Sequence, residues 1–249
     1  AGGFGTRISE ETDNRPKPMI EIGGKPILWH IMKIYESHGI NDFIICAGYK
    51  SYLIKEYFSN YFLHITDVTI NVEKNDINFK NEKVEPWKVT IVDSGLDTMT
   101  GGRLLSAKKY LEKDQPFFFT YGDGLSNVNI TEELAFHKKH GKLATVCAVQ
   151  PPNRYGVLNI KNGNVIKFQE KPSDGGWING GFFILNYDCI NLIEDTKTVW
   201  ENEPINYLTD NKELMAFQHN DFWYPMDTLR DKRYLENLWS QNEAKWKNW

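Results

Sequence analysis

Ala1-Gly2-Gly3-Phe4-Gly5-Thr6-Arg7, joined by Pro16-Lys17-Pro18 further along, is the stretch around which this sequence is organised. Its glycines let the backbone approach a ligand without Cβ obstruction and adopt positive φ where needed. Turned inward, the N–H groups of such a loop form an anion-binding nest. Arg7 adds a fork-shaped positive charge and Lys17 a point-like one, a combination suited to a nucleoside triphosphate. No Gly-Lys-Ser/Thr ends the run, so it is not a P-loop, and it lacks the Gly-x-Gly-x-x-Gly dinucleotide fingerprint. A glycine-rich stretch alone is most often a turn. Its specificity comes from the pairing with Gly-Thr-Arg and Pro-Lys-Pro.

Outward from this loop the pattern alternates between helix and strand periods. Glu21-Ile22-Gly23-Gly24-Lys25-Pro26 is a turn leading into a helix, and Ile27, Leu28, Ile31, Ile34 and Tyr35 follow a helical stripe closed by Gly39. The apolar run 43–47 reads as a buried parallel strand, and a second amphipathic helix is predicted over 49–62. Strand patterns at 68–72 and 89–93 flank a polar surface excursion over 73–88. Thr98-Met99-Thr100-Gly101-Gly102-Arg103 reads as a glycine-bearing loop before a helix at 104–111. Exposed N–H groups at a helix start bind acceptor-rich ligands, so it is a candidate nucleobase reader; a plain strand-to-helix turn is the alternative.

Pro116-Phe117-Phe118-Phe119-Thr120-Tyr121 is the most hydrophobic strand pattern and is expected to be central. It delivers Gly122-Asp123-Gly124 to a strand's carboxyl end, where ligands sit in open α/β sheets. A helix at 131–140 and a strand at 144–149 follow. Beyond 151, strands at 157–160 and 165–168 flank Lys161-Asn162-Gly163-Asn164 as a hairpin. It runs into Glu170-Lys171-Pro172 and a strand at 177–185. Helices around 189–193 and 204–208, strand pieces at 215–218 and 222–224, and a final helix at 229–239 complete the chain. Asp227 falls at a helix-capping position. The rhythm predicts an α/β sheet with right-handed crossovers in one domain.

At 249 residues the chain can bury one sizeable core. A net charge of −4 gives no bulk attraction to nucleic acid or an anionic membrane, so a phosphate ligand must be held by local basic residues. Trp200, Trp223, Trp239, Trp246 and Trp249 cluster late in the chain, which suits a subunit interface, a sugar-stacking surface or core packing. Cys46, Cys147 and Cys189 lie in apolar runs without CxxC spacing and read as buried thiols of a reducing compartment, the cytoplasm. No run of eighteen apolar residues and no signal peptide is seen. His137 and His140 sit three apart on a lysine-flanked helix face, while His30, His38, His64 and His219 show no metal spacing. No Gly-x-Ser-x-Gly supports serine hydrolysis.

Ala-Gly-Gly-x-Gly-Thr-Arg followed by Pro-Lys-Pro-Met resembles the signature of the sugar-1-phosphate nucleotidyltransferases, which join a nucleoside triphosphate to a sugar 1-phosphate and release pyrophosphate. The family places a hydrophobic strand immediately before these glycines, whereas the sequence opens at Ala1. Lys25-Pro26-Ile27-Leu28-Trp29-His30, Val84-Glu85-Pro86-Trp87, Tyr121-Gly122-Asp123-Gly124, Ile178-Asn179-Gly180-Gly181 and Pro225-Met226-Asp227-Thr228 extend the resemblance along the chain, toward members that use CTP and α-D-glucose 1-phosphate. The implied fold is a Rossmann-like three-layer α/β/α architecture with a mixed, mainly parallel sheet, of the nucleotide-diphospho-sugar transferase type. A small accessory β-hairpin and a C-terminal helix complete it. Residues 1–150 would be mainly nucleotide-binding, and 151–249 mainly sugar-binding and interfacial.

By the same resemblance, Gly2, Gly3, Phe4, Gly5, Thr6, Arg7, Lys17, Thr98, Gly102, Arg103 and Gly122 would contact the nucleotide. Tyr121, Gly156, Glu170, Lys171 and Asn179 would contact the sugar. Asp123 and Asp227 would hold Mg²⁺, which favours carboxylate and phosphate oxygens. Attack of one phosphate on another brings two anions together, so the chemistry needs charge neutralisation and alignment. Arg7 and Lys17 fit the triphosphate tail and the transferring phosphorus, Lys171 the sugar phosphate, and Asp123 joins them as catalytic through the metal. A lone Glu-Lys-Pro would be a solvated turn; its weight comes from its order after the other motifs. The product would be CDP-glucose, which in bacteria feeds surface polysaccharide, and the resemblance implies a homo-oligomer, a hexamer among the options. Use of UTP or dTTP, and a non-catalytic nucleotide-binding subunit of the same fold, remain alternatives.

Overall fold

A computed structural model of the chain describes residues 1–2, 8, 15–80, 84–151, 157–161, 164–169 and 176–249. After a 3-10 turn at Lys17–Met19, β1 (Glu21–Ile22) and β2 (Lys25–Pro26) pair antiparallel and lead into helix α1 (Ile27–Glu36). Apolar residues three and four apart give α1 two buried stripes. Ile27, Ile31, Ile34 and Tyr35 enter one core cluster, while Leu28 and Met32 enter another. Gly39, at φ +80°, follows the helix end, as the sequence implied.

Strand β3 (Asp42–Ala47) is parallel to β6 (Lys88–Asp93). The helix expected over 49–62 is instead two, α2 (Ser51–Ser59) and α3 (Tyr61–Ile65), because Asn60 at φ −103°, ψ 20° leaves helical geometry. The excursion after residue 72 is partly ordered as well. β4 (Val68–Asn71) folds back on β5 (Asp76–Phe79) through Asn75 at positive φ. Helix α4 (Thr100–Ser106) begins four residues earlier than the pattern suggested and gives way to a 3-10 turn at Lys108–Tyr110.

The second half supplies β7 (Phe117–Thr120), β8 (Gly124–Ser126), α5 (Ile130–His140), β9 (Ala144–Val149) and the antiparallel pair β10 (Val157–Lys161) and β11 (Asn164–Gln169), the predicted hairpin. β12 (Ile178–Leu185), a 3-10 stretch at Tyr187–Leu192, α6 (Glu203–Asp210), β13 (Leu214–His219), β14 (Trp223–Pro225) and α7 (Leu229–Ser240) follow. Asn129 caps α5 through its side chain, which accepts from the Glu132 N–H at 3.1 Å.

A four-stranded sheet runs in the order β13-β9-β12-β7. β9 and β13 are parallel, and β12 is antiparallel to both β9 and β7, so three strands run one way. β7, expected to be central, stands at the end of this sheet among the described residues and is only half-buried. β9 and β12 have the interior places, and in β12 Phe182 to Leu185 are all buried. Because successive strand residues face opposite sides, Phe182 joins the core cluster of Ile31, Leu125 and Trp246, while Phe183 joins that of Leu104, Ile190 and Trp200. Each such ring contributes roughly 2–3 kcal/mol by burial. Helices thus cover both faces, the three-layer α/β/α arrangement with its mixed sheet.

The late tryptophans serve this core. Trp200 and Trp246 are buried, and Trp239 stacks on Trp246 beside His30. Burial drives the His30 pKa down to about 4. The neutral ring has Nε2 2.8 Å from the Ile22 carbonyl, while Nδ1 accepts from the Trp246 indole at 3.3 Å. Cys147 and Cys189 are buried free thiols, and Cys46 is half-buried. Among the described residues, no helix is long and apolar enough to cross a membrane.

Candidate active site

A cavity of about 1180 Å³ opens beside β3 and β7. Its floor is aliphatic and aromatic, with Ile31, Met32, Phe43, Ile45 and Phe118. Such a floor offers a phosphate nothing to bind. The chemistry gathers at the polar mouth, where Gly2, Lys17, Thr98, Arg103, Tyr121, Gly122, Asp123 and Asp227 converge.

Lys17 lies between two prolines whose fixed φ stiffens the 3-10 turn, and Pro18 is buried. Its ammonium donates to Asp123 Oδ2 at 2.7 Å and to Asp227 Oδ1 at 2.9 Å. The carboxylates are 227 − 123 = 104 positions apart. Antiparallel pairing of β8 with β14 brings them together: Pro225 opposes Gly124, and the Met226 N–H donates to the Asp123 carbonyl at 2.8 Å. Burial works against a charged Lys17, but Asp123 and then Asp227 outweigh it and hold the ammonium above its ordinary pKa.

Asp227 is not the helix cap that its position suggested. Thr228 caps α7 in a reciprocal box with Asp231, whose carboxylate also accepts from the Asp227 backbone N–H at 3.1 Å. That leaves the Asp227 side chain directed at Lys17. Among the described residues, no three His, Cys, Asp or Glu side chains form a metal-ligand set. Two carboxylates already disposed about one cation, the Lys17 ammonium, nevertheless suit a hard ion that completes its shell from phosphate oxygens and water.

The segment read as a glycine loop over 98–103 is helix from Thr100 onward, and its first N–H groups are taken. Met99 donates to the Thr196 carbonyl at 2.9 Å, and Gly101 to the Thr198 carbonyl at 3.0 Å. Gly102, expected at the nucleotide, faces that segment instead of the cavity. A Cβ there would stand 2.4 Å from the Thr196 oxygen. Arg103 does reach the mouth, with four of its five N–H donors engaged by protein oxygens. One Nη meets Ser94 Oγ at 2.7 Å and the Gly95 carbonyl at 3.0 Å; the other meets the carbonyls of Gly2 at 3.0 Å and Leu96 at 3.1 Å. It ties the start of the glycine segment to the loop after β6.

Asn179 sits in a small recess sharing Thr120, Tyr121 and Asp123 with the cavity mouth. Its amide donates to Tyr121 Oη at 3.2 Å. Gly3, Phe4, Gly5, Thr6, Arg7, Gly156, Glu170 and Lys171 lie outside the described residues. One cavity-lining acid carries no signal in the sequence: Glu201, which accepts from Tyr121 and from Thr100. It lies in a polar stretch with no motif around it.

The sequence matches the family model described as nucleotidyl transferase over residues 1–236. It is 58% identical to a glucose-1-phosphate cytidylyltransferase of Salmonella typhimurium, over the whole chain and 97% of that protein. It is 41% identical to a probable glucose-1-phosphate cytidylyltransferase of Bacillus subtilis, again over the whole chain and 97% of that protein. An apo UDP-glucose pyrophosphorylase superposes with a TM-score of 0.69 at 16% identity, covering 97% of this chain and 96% of its own, a likeness of fold. With two aspartates and a lysine meeting where an α/β sheet ends, and matches spanning nearly every residue, the chain belongs to the nucleotidyl transferase family.

Proposed function

We propose that the protein transfers CMP from CTP to α-D-glucose 1-phosphate, giving CDP-glucose and pyrophosphate. The observation that carries this reading is the meeting of Lys17, Asp123 and Asp227 at the cavity mouth, in a chain 58% identical throughout to a glucose-1-phosphate cytidylyltransferase. A sugar phosphate is ionised near neutral pH and needs no general base. Its oxygen forms a bond to the α-phosphorus as the bond to the bridging oxygen of the β-phosphate breaks. The protein's task is to neutralise and align.

In this reading Lys17 keeps two neighbouring carboxylates from repelling each other, and its flexible stem lets the ammonium turn to a phosphate oxygen. Arg7 and the glycine segment hold the triphosphate, Arg103 shapes that segment, and Thr98 and Gly122 border the nucleotide. Lys171 receives the sugar phosphate, and Glu170, Gly156, Tyr121 and Asn179 face the sugar. Asp123 and Asp227 would hold Mg²⁺, which supplies charge neutralisation and Lewis-acid polarisation at the phosphates.

The free thiols fit a reducing compartment, the cytoplasm. Ile70, Val72, Ile77 and Phe79 on the β4–β5 hairpin are exposed beside Phe62 and Leu63 of α3, which supports association between copies of the chain. Light scattering that finds only monomers would remove that part. The activity test is product formation from Mg²⁺-CTP and glucose 1-phosphate, with UTP and dTTP in parallel. Absence of CDP-glucose would overturn the reaction, and faster turnover with another nucleotide would overturn the base choice.

A further inference from the structure

Thr100, Tyr121, Asn179 and Glu201 come from four separate parts of the chain and form one connected set at the cavity wall. Tyr121 Oη donates a hydrogen bond to Glu201 Oε1, and Thr100 Oγ1 donates to Oε2 at 2.6 Å. Thr100 Oγ1 accepts in turn from the Trp200 N–H at 2.9 Å. On the other side, Asn179 Nδ2 donates to Tyr121 Oη at 3.2 Å, and Asn179 Oδ1 accepts from the Gly181 N–H at 2.8 Å.

The donors and acceptors leave little freedom. A phenol has one proton, and here Glu201 receives it, so the Tyr121 oxygen can only accept from Asn179. Burial, and then the adjacent carboxylate, hold the Tyr121 pKa well above its ordinary value and keep that proton in place. The ring itself lies against the open side of Gly181, at φ +77°, where a Cβ would come within 2.7 Å of Cδ2. Without Glu201 the phenol could turn its proton elsewhere, and the Asn179 amide would lose its reference.

We propose that Glu201 is a positioning residue: it orients the Tyr121 hydroxyl, and through it the Asn179 amide, toward the sugar phosphate, while tethering the first residue of α4. The proposal rests on the reading that places Tyr121 and Asn179 on the sugar side. Glu201 acts on the sugar side through these groups, and Arg103 on α4 keeps its own contacts to Ser94, Gly95, Leu96 and Gly2.

The test compares Glu201→Ala, Glu201→Gln, Tyr121→Phe and the double variant Tyr121→Phe/Glu201→Ala in the full chain. Steady-state kinetics give kcat and the KM for glucose 1-phosphate, and calorimetry gives CTP affinity without sugar. Of the two hydrogen bonds that Glu201→Ala removes, loss of the charge-assisted one from Tyr121 is expected to raise the sugar phosphate KM about tenfold, with CTP affinity within about twofold. Glu201→Gln should recover most of the loss, since its amide carbonyl still accepts from Tyr121. The losses in the double variant should be less than additive, because the two single variants share the Tyr121–Glu201 contact.

A wild-type KM in Glu201→Ala, an equal fall in CTP affinity, additive losses, or a Gln variant no better than Ala would each overturn the positioning role. Should Glu201→Ala not fold, Tyr121→Phe decides, and an unchanged sugar phosphate KM in that variant overturns it. Wild-type protein that forms no CDP-glucose overturns both this role and the function it rests on. Active wild type with indifferent variants overturns this role alone.

Discussion

Replacing Glu133 by glutamine is expected to reverse the order of stability between acidic and alkaline pH. Glu133 lies near the start of α5, 1% exposed, and its Oε1 meets no hydrogen-bond partner among the described residues. A carboxylate so placed is costly, and burial lifts its pKa from 4.5 to about 8. Between those values the unfolded chain has released a proton that the folded chain keeps. Raising the pH through this window therefore favours unfolding, by about 1.4 kcal/mol per pH unit. The contribution is fully present below pH 4.5 and lost as pH rises through about 8. Over 8 − 4.5 = 3.5 pH units the swing approaches about 5 kcal/mol as an upper bound.

Glutamine keeps the shape and abolishes the titration, but it buries an unpaired amide at a cost of roughly 1–3 kcal/mol. The variant should be less stable than wild type at pH 5, equal near pH 6, and more stable by roughly 2 kcal/mol at pH 8. Urea unfolding followed by tryptophan fluorescence reads this directly, and the groups common to both proteins cancel in the difference. A stability difference that stays constant from pH 5 to pH 8 would refute a buried, protonated Glu133.

Asp123→Asn should lower kcat by at least about a hundredfold while CTP affinity changes little, because it removes one of two carboxylates around the cation position. Loss of affinity with unchanged turnover would contradict that role. Arg103→Lys leaves at most three donors where four are used, and should weaken CTP binding at least about tenfold in calorimetry. Gly102→Ala puts a methyl 2.4 Å from a backbone oxygen that cannot move alone. Overpacking of this kind costs roughly 1–3 kcal/mol and should lower Tm by several degrees in calorimetry, with kcat of the folded fraction retained.

Much of the architecture was legible because it depends on local patterns. The apolar stripe of 27–35, the strands at 43–47 and 144–149, and the antiparallel pair over 157–161 and 164–169 were each legible from a few neighbouring residues. Lys17, Asp123 and Asp227 were singled out beside prolines, glycines and element ends, and the structure brings these three side chains together. The misread boundaries have specific causes. Gly101 and Gly102 look like a loop, yet they sit within a helix because only glycine lets that turn lie against Thr196 and Thr198. Asp227 looks like a cap, yet Thr228 and Asp231 take that task between them. Phe117–Thr120 looks central by hydrophobicity, yet among the described residues pairing gives β9 and β12 the interior places of its sheet.

The sequence alone determined which side chains were available: glycines for close approach, lysine and arginine for phosphate, and aspartates at the ends of elements. Only the tertiary structure decided which of them meet. β8 pairs with β14 in a register that carries Asp123 and Asp227 to one ammonium, and Glu201 reaches Tyr121 across eighty positions. Such contacts are set by sheet register and by the packing of distant segments. Neither leaves a periodic trace in the residues near the contact.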